Sequence, residues 1–143
     1  MSVVDNKNLV RRFYDEAVGA RDLDAVDRLL APDFRHDGEE RGHAGQRDAV
    51  AAFLGGFSDL RHEVVLCLGE DDLVAATQRW RGTHDGEFLE VPATGREVGF
   101  TSTTVLRVVD GLITEAWGQV DVAGLLAQIT DERAGGRDEQ QAP

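Results

Sequence analysis

Apolar residues recur at helical spacing through the first part of the chain and at alternate positions after Leu60, so the period of the pattern changes from 3.6 to 2. Leu9, Val10, Phe13, Tyr14 and Ala17 form one stripe and predict a helix over Asn6–Val18, with Asp5 as N-cap and Gly19 as its stop. A second helix, Leu23–Leu30, ends at Ala31-Pro32 because proline cannot continue it. Ala49, Val50, Phe53, Leu54 and Phe57 define a third over Arg47–Phe57, and Gly38–Gly45 before it reads as a polar loop. Beyond Leu60, His62, Val64, Leu66 and Leu68 alternate along a strand that turns at Gly69–Asp72 into Leu73–Thr83. Arg96–Val109 and Leu112–Asp121 pair through Asp110-Gly111, a strong hairpin signal, and Val122–Ile129 is a short closing helix. Helices first and antiparallel strands after them give an α+β fold. Residues 1–130 read as one domain, and Asp131–Pro143, polar and glycine-containing, as a disordered tail.

Alternation assigns the faces of the long strands. Val98, Phe100, Ser102, Thr104, Leu106 and Val108 lie on one face and must meet the helices. Two small hydroxyls in the middle of an apolar face suit a pocket wall, although Ser102 and Thr104 also read as ordinary strand residues. On the last strand Ala116, Gly118 and Val120 point one way, and Ile113, Glu115, Trp117, Gln119 and Asp121 the other. If the small set lines a pocket, Trp117 and Ile113 lie outside and need a cover, which makes a homodimer the favoured expectation. Tyr14 from the first helix, Phe53 and Phe57 from the third, and Trp80, a stacking wall for a polycyclic ligand, are placed around the pocket.

With 143 residues, 41% hydrophobic and 29% charged, the chain has the composition of a soluble globular domain. Its net charge of −12 repels phosphate backbones, and no basic patch offsets this, so nucleic-acid binding is disfavoured. No stretch is long and apolar enough to span a bilayer, and Met1–Val10 has no signal-peptide core, so a cytoplasmic setting is the default expectation. One cysteine, Cys67, excludes an internal disulfide. His36, His43, His62 and His84 are well separated, with none of the spacings of a metal site, and no Gly-x-Ser-x-Gly, dinucleotide or phosphate-cradling motif is present. His43 reads as solvated, His62 as a buried strand residue and His84 as bonded to its own turn.

The stretch from Gly82 to Ile129 carries a resemblance. It contains Gly-Thr-His-Asp-Gly-Glu-Phe at Gly82–Phe88, Val-Pro-Ala-Thr-Gly-Arg at Val91–Arg96 and Phe-Thr-Ser-Thr-Thr-Val-Leu-Arg-Val-Val-Asp-Gly at Phe100–Gly111. Glu-Ala-Trp-Gly-Gln-Val-Asp at Glu115–Asp121 and Gly-Leu-Leu-Ala-Gln-Ile at Gly124–Ile129 complete it. Together with Leu9–Tyr14, Asp22–Ala25 and Leu30–Phe34, these segments resemble the SnoaL-like polyketide cyclases, a branch of the nuclear-transport-factor-2-like superfamily. The resemblance implies a cone-shaped α+β barrel, with N-terminal helices packed on a curved antiparallel sheet around a hydrophobic cavity. It also implies chemistry without metal or cofactor on an aromatic polyketide of antibiotic biosynthesis, as in ring closure of anthracycline precursors or hydroxylation of an anthracycline ring.

In such proteins the residue two beyond Pro-Asp-Phe reaches into the cavity. Here it is His36, in the place of the family's asparagine, and it becomes the candidate general base; it also reads as a surface histidine beside Asp37. The cyclases' last-strand carboxylate falls on Gly118 and their preceding-strand histidine on Thr104, so their acid/base pair does not carry over intact. Asp121 is the reserve carboxylate, should the strand turn there. Three readings therefore stand open: a cyclase or ring-modifying enzyme on a polycycle, a cofactor-free hydrolase or isomerase of a small hydrophobic molecule, and a non-catalytic ligand-binding protein.

Overall fold

The computed structural model describes residues 2–130, and the tail expected over Asp131–Pro143 lies outside them. Helix α1 covers Val3–Tyr14 and runs on through a wider π-type turn over Asp15–Gly19. Its N-cap is Ser2 rather than Asp5: the Ser2 hydroxyl accepts from the Asp5 amide at 3.0 Å while the Asp5 carboxylate accepts from the Ser2 amide, a reciprocal capping box. Helix α2 is Asp24–Leu29, and strand β1, Leu30–His36, starts directly after it. Strand β2 is only Glu39–Glu40, and α3 runs from Gly42 to Gly56. The segment read as a polar loop over Gly38–Gly45 thus contains β2 and the first turn of α3.

Strands β3 (Arg61–Glu70), β4 (Leu73–Thr83), β5 (Glu97–Val109) and β6 (Leu112–Val120) follow, and α4 (Val122–Thr130) closes the described chain. Among the described residues, six strands form one curved, unclosed sheet in the order β2-β1-β6-β5-β4-β3. The α+β fold with helices packed on a curved sheet is the one expected. Every pairing is antiparallel except β1 with β6, which is parallel. A parallel neighbour needs a long connection, and here α3 and the β3–β5 meander supply it.

Two β-bulges correct the face assignments. A register shift between Val64 and Leu66 leaves Val65 unpaired, so His62, Val64 and Cys67 face inward while Leu66 and Leu68 face out, 52% and 58% exposed. A second shift beside Thr114 returns Ile113 to the core, where it is fully buried, while Trp117 stays on the outer face beneath the Arg107 guanidinium. The inner face of β5 is as expected: Val98, Phe100, Ser102, Thr104, Leu106 and Val108 are all buried.

Two apolar clusters fill the space between helices and sheet. One joins α1, α2 and β1 to Val74, Leu106, Val108 and Ile113. The other joins Leu54, Phe57, Trp80, Phe88 and Phe100 to Leu125 and Ile129 of α4. The gap between the two holds the candidate site.

Candidate functional site

A cavity of about 330 Å³ opens between α1, α3 and the inner face of the sheet, at the lower end of the roughly 300–1,000 Å³ range of ligand pockets. Of the residues expected to line it, Tyr14, His36, Phe53, Trp80, Ser102, Thr104 and Gly118 do so. Phe57 and Asp121 do not. Phe57 is 0% exposed and packs against Phe88, His84 and Phe100 with ring centroids 5.4, 5.7 and 6.4 Å away, so it belongs to the solid core. The period that put it beside Phe53 ignored that α3 stops at Gly56, where the chain turns away. Asp121 caps α4: its carboxylate accepts from the Gly124 amide at 2.9 Å, on the exposed side.

His36 reaches the cavity because β1 ends there in a two-residue turn. Asp37 and Gly38 both take positive φ, 50° and 87°, and His36 pairs with Glu39 across them; Asp-Gly suits such a tight hairpin. The turn holds the Asp37 carboxylate 3.1 Å from His36 Nδ1. The same carboxylate accepts from the Gly118 amide at 3.3 Å, and the Asp37 amide donates to the Ala116 carbonyl at 2.9 Å. Nδ1–H directed at Asp37 leaves Nε2 as the free lone pair. Nε2 faces the space over Gly118, 3.7 Å from where a Cβ there would sit, and Thr104 Oγ1 borders the same space at 3.2 Å. Glycine at this position keeps open the volume that a side chain would occupy.

Burial lowers the proton affinity of His36 below the ordinary 6.5, the Arg41 cation adds to this, and the Asp37 carboxylate opposes it. The imidazole is therefore chiefly neutral at pH 7, the form that accepts a proton. Tyr14 is held in the opposite sense: burial raises its phenol above 10.0, against contacts with Thr104 and Gln78, so it stays a donor. The Gln78 amide, fully buried, makes no close hydrogen bond, and its approach to the phenol is looser than one.

The opposite wall is aromatic. Trp80 lies parallel to Phe100 at 6.0 Å and edge-on to Tyr14 at 6.3 Å, and its indole N–H donates to Ser102 Oγ at 2.8 Å. A flat apolar face with one fixed hydroxyl suits a planar ring system.

The remaining histidines are structural. His43 bonds the Leu30 carbonyl at 2.8 Å rather than lying in solvent, His62 sits 3.3 Å from Asp15, and His84 holds Thr94 at 2.9 Å. Among the described residues no three His, Cys, Asp or Glu side chains converge. Sequence reading missed Asp37, Arg41 and Gln46, the last two from the start of α3 at the cavity's edge. The Asp37-Gly38 dipeptide was the available signal for the turn, the same signal read correctly at Asp110-Gly111.

The family described as SnoaL-like polyketide cyclase matches residues 8–129. Among solved structures, the chain is similar to AclR, a candidate hydroxylase from Streptomyces galilaeus, with 29% identity, a TM-score of 0.81, and 90% of this chain and 82% of that one covered. It is similar to TsrD from Streptomyces laurentii, with 26% identity, a TM-score of 0.82, and coverage of 91% and 98%. It is also similar to IdmH, a candidate polyketide cyclase from Streptomyces antibioticus, with 30% identity, a TM-score of 0.75, and coverage of 86% and 96%. No curated protein matches.

Proposed function

Since the chain belongs to the SnoaL-like polyketide cyclase family, we propose that it is an enzyme of aromatic polyketide biosynthesis that moves a proton on an anthracycline-type polycycle held in this cavity. The observation that carries the reading is His36 Nε2, unpaired and facing a mostly apolar cavity, with the Tyr14, Thr104 and Ser102 hydroxyls on its walls and Arg41 and Gln46 at its edge. The substrate stacks on Trp80 and Phe100. His36 takes a proton from a carbon next to a carbonyl, and the electron pair moves onto the carbonyl oxygen as an enolate. Tyr14 and Thr104 donate hydrogen bonds to that oxygen. In ring closure the enolate carbon bonds to a second carbonyl carbon, and the new alkoxide recovers the proton from His36. In a ring-modifying reaction the same enolate is the activated species. With Gly118 and Thr104 in the places of the cyclases' pair, the proton-transfer role passes to His36 on the neighbouring strand, whose Nε2 faces the space over Gly118.

The test is turnover of aromatic polyketide intermediates by the unmodified protein, with and without chelator. Tight binding without turnover would give the site to the ligand-binding reading, and chelator inhibition would overturn a metal-free reaction. The acidic limb of kcat/KM is expected to have its midpoint below 6.5, as the lowered proton affinity of His36 requires. Asp37→Asn removes a contribution that raises this affinity, so the midpoint should fall further. An acidic limb unmoved in that variant would detach the titration from His36.

We also propose that the protein is a homodimer through the outer sheet face. Leu66, Leu68 and Trp117 supply the apolar surface there, with Ile113 withdrawn to the core. Sedimentation should show a dimer at micromolar concentration and a monomer for the double variant Leu66→Glu, Leu68→Glu. Among the described residues no helix is long and apolar enough to cross a membrane.

A further inference from the structure

Arg41 lines the cavity, which is unusual company for a guanidinium in a pocket walled by Phe, Leu, Val and Trp. Among the described residues its side chain has one hydrogen-bond partner, Gln46 Oε1 at 2.8 Å, and no carboxylate. In a chain of net charge −12 acidic partners are plentiful, so an arginine left without one beside a cavity is a charge held for something else. Its stem is seated by design of the local sequence. A Cβ on Gly45 would lie 2.5 Å from Arg41 Cγ, so the side chain crosses the first turn of α3 where glycine leaves it room. Gln46, one residue on, holds the guanidinium at one edge and leaves its other N–H groups free. The charge is felt inside the site, since it is the second cause, after burial, of the lowered proton affinity of His36.

We propose that Arg41 is a specificity-determining residue that binds an anionic oxygen of the substrate, a carboxylate or an ionised phenol, while the rings lie against Trp80 and Phe100. The inference rests on the cavity being the ligand site, as proposed above, and narrows the substrate class from a hydrophobic polycycle to an acidic one. Charge-assisted bonds from a guanidinium are strongest where water is excluded. A ligand with its acidic group at Arg41 and its fused rings on the aromatic wall satisfies both halves of the pocket. Among the described residues no carboxylate lines the cavity to oppose an anion, and the charge of Asp37 beside it is turned to His36 Nδ1 and the Gly118 amide.

The experiment compares binding of an anthraquinone carboxylate with that of the isosteric anthraquinone carboxamide, by calorimetry at pH 7. The unmodified protein should bind the carboxylate about tenfold more tightly or better, a difference of about 1.4 kcal/mol. Arg41→Gln should abolish the preference while leaving the carboxamide affinity within about twofold, and Arg41→Lys should keep part of it. Gly45→Ala provides an independent check, because it leaves every charge in place. Alanine favours the helix over glycine, so the fold is retained, yet its methyl group displaces the Arg41 stem, and the preference should fall as it does in Arg41→Gln. Circular dichroism of each variant confirms folding. Equal binding of both ligands by the unmodified protein would overturn the role of Arg41 while leaving the cavity a ligand site. A preference that survives in both Arg41→Gln and Gly45→Ala would do the same. Binding of neither ligand would overturn this inference together with the reading of the cavity on which it rests.

Discussion

Replacing His36 with alanine is expected to lower kcat by about 10²–10⁴-fold, the usual contribution of a positioned proton-transfer group, with the thermal midpoint little changed. The size follows from the arrangement around the ring. Nδ1 is committed to Asp37 at 3.1 Å, which fixes the tautomer and aims Nε2 at the space over Gly118. Among the described residues no other histidine lines the cavity. His36 is only part-buried at the mouth, so truncation leaves no sealed void and the cost falls on chemistry rather than on folding. His36→Gln should be nearly as slow, because an amide retains the shape and cannot take the proton. Asp37→Asn should lose less, since the ring stays in place while its orientation and charge stabilisation weaken. If kcat is unchanged in His36→Ala, proton transfer resides elsewhere. Asp121→Asn is the matching control: Asp121 is committed to capping α4 at 2.9 Å from the Gly124 amide. It should leave turnover intact and cost about 0.5–2 kcal/mol of stability.

Phe57→Ala is expected to have the largest effect on the fold, about 3–5 kcal/mol of destabilisation, a large share of the 5–15 kcal/mol by which domains of this size are usually stable. The ring is fully buried, with Phe88, Phe100 and His84 around it. The surroundings cannot collapse to fill the hole. On one side Gly82 lies so close that a Cβ there would meet Phe57 Cβ at 3.2 Å. On another, the chain from His84 to Gly86 is tied to α3 by bonds from the Asp85 and Gly86 amides to the Gly56 carbonyl at 3.2 and 3.1 Å. The free energy, read from urea unfolding, separates this ring from its neighbour on the helix. Phe53, half-buried on the cavity wall, should cost less when cut to alanine and should weaken ligand binding more. A small loss for Phe57→Ala with a large loss of ligand affinity would reverse the two assignments.

The pattern of apolar positions determined much of this protein by itself. Helical period before Leu60 and alternation after it follow from local backbone geometry, so the α+β order and the β3–β6 meander could be read directly. The inner face of β5 was legible for the same reason: β5 pairs with β4 without a break, and strict parity holds from Val98 to Leu106. Most of the positions expected on the cavity are there because side chains on one face of an element share a neighbour, whereas His36 was placed by the family resemblance. What sequence could not supply was parity across a bulge. One extra residue at Val65 or Thr114 flips every later side chain, and nothing in the local composition marks it, because a bulge is set by how the sheet must curve over its helices. That is why Leu66 and Leu68 went outward and Ile113 inward. The parallel pairing of β1 with β6 joins residues about eighty positions apart, a distance over which no periodic signal runs. Arg41 fell within the segment read as a polar loop, and Asp37 entered only as the neighbour of a surface histidine. Only the folded chain brings a tight turn and an uncluttered helix start to the rim of one cavity, where burial and the Arg41 charge lower the proton affinity of His36 while Asp37 holds its ring.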